Sequence, residues 1–176
     1  QPKEGELITY TYKKAGIEIR KIASRLQEFG FSEKSHIALL SKNCANWLMS
    51  DIAIMIAGMV SIPIYPSLNA KTIRQVLIHS ESKAIIIGKL DDFSSKKEGI
   101  PDIPIIGVES YGTNEQESWE KIIAAETIGV DINYPKPEDL HTIIYTSGTT
   151  GTPKGVMHSA NNFMVSVQTL SNIIKL

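Results

Sequence analysis

Apolar residues recur along this chain in two alternating rhythms: helical stripes spaced three or four apart, and short unbroken runs that suit buried strands. Ile19, Ile22, Ala23, Leu26 and Phe29 share one face of a predicted helix that Thr11 can cap and Gly30 ends. His36-Ile37-Ala38-Leu39-Leu40 then predicts a strand. Asn43 is the candidate cap of a helix from about Ala45 to Met59, apolar nearly all round and therefore buried on most sides. Val60 to Ile64 reads as a strand, but Pro63 lacks a donor and predicts an edge, a strand end or a bulge. The unit repeats: Asn69 caps a helix with Ile73, Val76 and Leu77 inward, and Lys83 to Ile87 forms a strand of the continuous apolar type found in sheets covered on both faces.

Beyond Gly88 the rhythm weakens. Residues 89–102 are polar with mixed charges and predict a solvated surface, before Pro104 to Val108 supplies another short strand. Ser118 can cap a short helix with Trp119, Ile122 and Ile123 inward. Tyr134 to Asp139, stiffened by Pro135 and Pro137, forms a non-helical connection to a strand at His141 to Tyr145. At the other end of the chain, Leu7 to Tyr10 reads as a short strand. After Ser159, a helical stripe of Ala160, Phe163, Met164, Val167, Leu170, Ile173 and Ile174 needs a partner surface, either the sheet or a following domain. Strands alternating with helices predict an α/β fold, doubly wound, with a mainly parallel sheet, right-handed crossovers and helices on both faces.

Composition narrows the classes. A chain of 176 residues that is 42% hydrophobic can bury the core of one ordinary domain. Lys and Arg number 18 against 19 acids, so there is no basic excess to attract a nucleic-acid backbone, and any anion site must be local. The single Cys44 forms no internal disulfide, which fits a reducing compartment. The most apolar run, Ile52 to Ile64, contains Pro63 and falls short of the ~20 residues a membrane helix needs, so it is a core element. No secretory signal pattern precedes the first helix, and a start at Gln1 reads as a cut from something longer.

The candidate chemistry is concentrated in Tyr145 to Gly155, YTSGTTGTPKG. Glycines at 148, 151 and 155 let backbone N–H groups approach an anion closely. Hydroxyls of Thr146, Ser147, Thr149 and Thr150 add neutral donors, and Lys154 adds one mobile positive charge; together they suit a pyrophosphate. The loop leaves the end of a strand, where open α/β sheets bind ligands. A Walker A reading fails, because Pro153 stands where glycine belongs and Gly155 where the magnesium-binding hydroxyl belongs. Val156-Met157-His158 predicts a short extended piece, which would hold Lys154 on a loop or strand edge. A plain glycine-rich surface turn would leave Lys154 and the hydroxyls unaccounted for.

Other reactive residues read as structural. His36, His79 and His141 are isolated from one another and from any ligand pattern, as surface or helix-end histidines are; His158 is also read as structural. Cys44 sits near the start of a buried helix with no paired base, and Trp47 and Trp119 fall on apolar faces as core or interface residues.

The YTSGTTGTPKG stretch closely resembles the phosphate-loop signature of the adenylate-forming, or AMP-binding, superfamily of acyl-CoA synthetases, luciferases and peptide-synthetase adenylation domains. The resemblance runs through ITYTYKKAG at the start. In WLMSDIAIMIAGMVSIPIYPSLNA and TIRQVLIHSESKAIII it is greatest to the long-chain fatty acyl-CoA synthetase branch. It implies that residues 1–176 are the truncated N-terminal part of an adenylation domain, with the rest of the large domain and a mobile C-terminal domain absent. It implies a two-step ligation: a fatty-acid carboxylate attacks ATP, pyrophosphate leaves, and the acyl-adenylate passes to coenzyme A. By carry-over, Thr146, Ser147, Gly148, Thr149, Thr150, Gly151, Thr152 and Lys154 hold the β- and γ-phosphates, with Thr146 the candidate hydroxyl contact for Mg2+. Magnesium on a nucleotide also takes a carboxylate, and none occurs between Leu140 and Leu176, so this piece is expected to be inactive alone. Many members carry histidine at the position matching Ala160; here the nearby histidine is His158, so no acyl-site histidine is carried over. The expected partners are fatty acid and coenzyme A, without nucleic acid. The expected location is cytoplasmic, peripheral at the inner membrane surface at most; the sequence does not give the oligomeric state. The rival readings are an aryl- or amino-acid-activating ligase and a non-catalytic nucleotide-binding module.

Overall fold

The computed structural model of the protein describes residues 9–125, 131–147 and 153–174. Its elements are α1 (Tyr12–Glu28), β1 (His36–Leu40), α2 (Ala45–Ile56), β2 (Val60–Ile64), α3 (Ala70–His79), β3 (Ala84–Ile87), α4 (Ser94–Lys97), β4 (Ile105–Gly107), β5 (Glu117–Ser118), α5 (Trp119–Ala124), β6 (Leu140–Ser147), β7 (Pro153–Ser159) and α6 (Ala160–Ile174). The strands form one sheet in the order β5-β4-β3-β1-β2-β6-β7. Pairings from β5 to β6 are parallel and β7 alone runs antiparallel, to β6. The chain steps from β1 to β2 on one side, then crosses back to β3 on the other, so the sheet is doubly wound as the alternation predicts.

Side-chain alternation along the central strands builds two separate cores. Ile37, Leu39, Ala84 and Ile86 pack with α1, α2 and α5; Ala38, Leu40, Ile85 and Ile87 pack with α3 on the opposite face. Both faces of β1 and β3 are therefore dry, which is why these strands are apolar at consecutive positions. Three predicted caps are in place: Thr11 Oγ1 accepts from the Lys14 amide, Asn69 Oδ1 from Thr72 and Ser118 Oγ from Lys121. Trp119 is buried, and its indole N–H donates to the buried Glu18 carboxylate at 3.0 Å.

The structure corrects four local expectations. Cys44, not Asn43, occupies the cap position of α2, and it makes no side-chain cap bond. α2 ends at Ile56 rather than Met59, because Gly58 adopts φ +80°, a left-handed conformation that stops the helix. Residues 89–102 are polar at the surface yet anchored, since Leu90, Phe93 and Ile100 pack against the α3-side core without periodic spacing. Of the strand expected at Leu7 to Tyr10, residues 7 and 8 lie outside the described residues, while Thr9 and Tyr10 are irregular.

Pro63 meets the strand-end alternative of the sequence reading rather than the edge. β2 is an interior strand, between β1 and β6, although Pro63 does stand next to its end. The Val60 amide donates to Ser35 O at 3.0 Å, so even-numbered residues of β2 direct their peptide groups toward β1, and Ser61 and Pro63 direct theirs toward β6. The missing donor therefore falls on the β6 side. Among the described residues, the β2–β6 register is correspondingly confined to Ser61 with Thr142, reinforced by the Thr142 hydroxyl donating to Ser61 O at 2.9 Å.

α6 does not fold back on the sheet. Met164, Leu170 and Ile173 are 51%, 54% and 73% exposed, and the helix meets the domain mainly through buried Ala160 and the Phe163 ring, 5.2 Å from His141. Among the described residues, no helix is long and apolar enough to cross a membrane.

Candidate functional site

β6 runs past the carboxyl edge of the sheet as far as Ser147, where the glycine-rich stretch begins in sequence. With Ser61 opposite Thr142, Ile64 at the end of β2 lies level with Tyr145, so Thr146 and Ser147 overshoot it. β7 returns antiparallel, with Thr146 opposite Lys154 and Ser147 opposite Pro153. Gly148, Thr149, Thr150, Gly151 and Thr152, which connect the two strands, lie outside the described residues. The extended piece predicted at Val156 to His158 belongs to β7, the outermost strand, and Lys154 does sit on a strand edge. α6 begins at Ala160, with Ser159 Oγ accepting from the Asn162 amide.

The two faces of this hairpin differ. Ile143 and Tyr145 are buried toward α3, so alternation places Thr142, Ile144 and Thr146 on the other face, and Lys154, directly opposite Thr146, shares it. Both Thr146 and Lys154 are exposed. A cavity of about 290 Å³ lies on that face between α2, β2, β6 and α6, lined by Trp47, Asp51, Pro63, His141, Ile144 and Phe163 among others. It opens beside Pro63, where the β2–β6 ladder stops. Among the described residues Lys154 makes no ion pair, so its ammonium is available to an anion arriving at the carboxyl edge.

The donor set fits phosphate better than metal. No group of three or more His, Cys, Asp or Glu that could hold a metal ion occurs among the described residues. Thr146 offers one neutral hydroxyl and β6, β7 and α6 contain no carboxylate, so these residues do not make a magnesium site by themselves.

His141 departs from the sequence reading, and His79 keeps to it while gaining a contact. His141 is buried, its Nε2 3.5 Å from Asp51 Oδ2 on α2, and its Nδ1 has no partner among the described residues. His79 ends α3 on the surface as expected, yet its Nδ1 lies 2.7 Å from the Tyr145 phenol oxygen. These partners are far apart in sequence. The one local signal was a charged Asp51 inside an otherwise apolar helix, which calls for a buried partner. His36 is half-buried and bonds Ser80 O; Cys44 is half-buried, with Sγ 3.5 Å from Ser41 Oγ. Trp119 is a core residue, whereas Trp47 both packs on the core and lines the cavity.

An open parallel sheet that carries a glycine-rich hairpin at its carboxyl edge is the architecture of the adenylate-forming enzymes. The chain belongs to the AMP-binding enzyme family, which it matches over residues 3–175. It is 31% identical over 181 residues to fatty acyl-CoA synthetase A of Dictyostelium discoideum, covering 94% of this chain and 27% of that protein. It is 32% identical over 178 residues to the peroxisomal long chain acyl-CoA synthetase 7 of Arabidopsis thaliana, covering 93% of this chain and 25% of that one. Among solved structures it resembles the o-succinylbenzoate CoA synthetase of Bacillus subtilis with its acyl-adenylate intermediate. The TM-score is 0.75 at 20% identity, over 98% of this chain and 42% of that one. The chain thus spans about a quarter of the length of the curated relatives it matches.

Proposed function

We propose that this chain is part of an ATP-dependent fatty acid–CoA ligase and forms the pyrophosphate side of its ATP site. The observation that carries the reading is the hairpin: a threonine hydroxyl and a lysine that makes no ion pair among the described residues stand opposite one another on β6 and β7, where these strands flank the glycine-rich stretch. When a carboxylate displaces pyrophosphate from ATP, negative charge grows on the leaving β- and γ-phosphates. Lys154, the hydroxyls of Thr146 and Ser147 and the Gly148 to Thr152 connection would stabilise that charge. Coenzyme A would then take the acyl group from the adenylate. The carboxylate for magnesium must come from elsewhere in the protein, which fits a chain covering a quarter of its relatives. Long-chain fatty acid is the proposed substrate because long chain acyl-CoA synthetases of Arabidopsis thaliana are about 30% identical over nearly the whole chain. For location, cytoplasmic protein, peripheral at the inner membrane surface at most, remains the proposal.

Pyrophosphate exchange tests this. A protein of the relatives' full length should incorporate labelled pyrophosphate into ATP when given a long-chain fatty acid. Exchange with only aryl or amino acids would replace the substrate assignment, and no exchange with any carboxylic acid would overturn adenylation. Lys154→Ala should slow exchange roughly 100- to 1,000-fold, the scale for removing one preorganised stabilising group, without unfolding the protein.

A further inference from the structure

A single side-chain hydrogen bond ties the stem of the hairpin to the helical layer beneath it. His79 closes α3, and its Nδ1 lies 2.7 Å from the Tyr145 hydroxyl, with the rings edge to face at 5.6 Å and 83°. Tyr145 is 5% exposed, and burial holds its phenol pKa above the usual value, so the hydroxyl stays neutral and able to donate or accept. Across the ladder the same ring lies against Gly155: a Cβ there would stand 3.3 Å from Tyr145 Cζ and 2.7 Å from Ile143 Cγ2. α3 also borders the return strand, where Arg74, Ile78, His79 and Pro153 line a shared groove. The Tyr145 ring is thus held by a helix on one side and seated on a side-chain-free position of β7.

Side-chain direction separates this contact from the phosphate-facing groups. Tyr145 points toward α3, whereas its neighbour Thr146, with Lys154 opposite, points to the other face. Neither His79 nor Tyr145 can therefore be a phosphate ligand by the same geometry that makes Thr146 and Lys154 candidates. What the pair can do is fix the height and tilt of both strands at the level where the glycine-rich connection begins. We propose that His79 and Tyr145 form a positioning clamp for phosphate binding, setting the placement of Thr146 and Lys154. The proposal rests on the adenylation reading for its kinetic consequence, but the mechanical contact does not depend on that reading.

The test uses the full-length protein with His79→Ala, His79→Asn and Tyr145→Phe. His79→Ala and Tyr145→Phe should each raise the KM for ATP in pyrophosphate exchange roughly three- to tenfold, the scale of one net hydrogen bond, leaving the KM for the acid unchanged. The double variant should be no worse than either single one. His79→Asn should restore the wild-type value, because its amide group occupies the position of Nδ1. Hydrogen exchange supplies a readout independent of activity: in His79→Ala, amides of residues 143–147 and 154–157 should exchange several-fold faster while those of α1 and β1 are unchanged. An unchanged ATP KM with unchanged protection overturns the clamp, as does an even loss of kcat and of protection throughout the chain, which marks general destabilisation. If the wild-type protein exchanges no pyrophosphate with any acid, adenylation fails, and the exchange protection still decides whether the clamp exists.

Discussion

α1 and α6 carry the same helical period and meet opposite fates. Ile22, Ala23 and Leu26 on α1 are fully buried, and its charged side chains reach across to fasten β5 and α5: Arg25 forms paired bonds with Glu117 on β5, and Lys21 Nζ donates to Ile123 O on α5. On α6, Phe163, Val167 and Leu170 repeat the stripe but remain 44%, 45% and 54% exposed. Periodicity states which face of a helix is apolar, but it is silent on what covers that face. The half of the sheet around β1 is complete within this chain. The half that carries the hairpin is covered on the α3 side and open on the other, and Thr146, Lys154 and the cavity all belong to the open side.

The comparison can be broken directly. In chemical denaturation of this chain, Leu26→Ala should cost about 2–5 kcal/mol, as expected for truncating a buried leucine, whereas Leu170→Ala should stay within about 0.5 kcal/mol. If the two costs are equal in this chain, the contrast between the helices is wrong. If Leu170→Ala becomes as costly as Leu26→Ala in a protein of the relatives' length, additional polypeptide covers α6. Next in size is Gly155→Ala: its Cβ would meet the Ile143 methyl at 2.7 Å, and a β-branched side chain seated in the core cannot swing away. A loss of about 1–3 kcal/mol is expected, and a neutral result would show that β7 is loosely seated.

The smallest effect concerns the connection that delivers β6. Asp139 accepts from the Lys136 amide and from Lys34 Nζ, which hold its carboxyl below the usual carboxylate range. A folded value below the unfolded one means this stabilisation is complete above about pH 4 and fades as the pH falls through the lower, folded value. Asp139→Asn should therefore lower the melting midpoint slightly at neutral pH, and the gap to wild type should close on acidification. A gap that stays constant with pH would assign the effect to something other than the carboxylate charge.

Much of this architecture is legible in the residues because local chemistry decides it. β1 and β2 coincide with their predicted spans, and Thr11, Asn69 and Ser118 cap as their side-chain oxygens dictate. Asn43 failed as a cap because Cys44 adopted the extended backbone just ahead of α2, one residue further on, a choice that turn geometry makes and residue type does not. At the site, Thr146 and Lys154 were recognised from composition, and their placement opposite one another needed only the return of β7. The pairs Asp51 with His141 and His79 with Tyr145 were out of reach, since each joins elements that sheet order alone makes neighbours. Isolated histidines in a sequence carry no sign of the residue that will face them.

Pro63 has a consequence in time as well as in space. β1, β2 and β3 are linked by short crossovers and can pair early, whereas β6 must close a loop of roughly eighty residues before Thr142 meets Ser61. Until then, β2 is the open margin of a growing sheet and its β6-facing side is a template for any passing strand. A proline whose missing donor lies on that side shortens the template. The residue that limits the finished ladder to Ser61 would thus also guard the nascent chain against wrong pairing while the phosphate hairpin has yet to arrive.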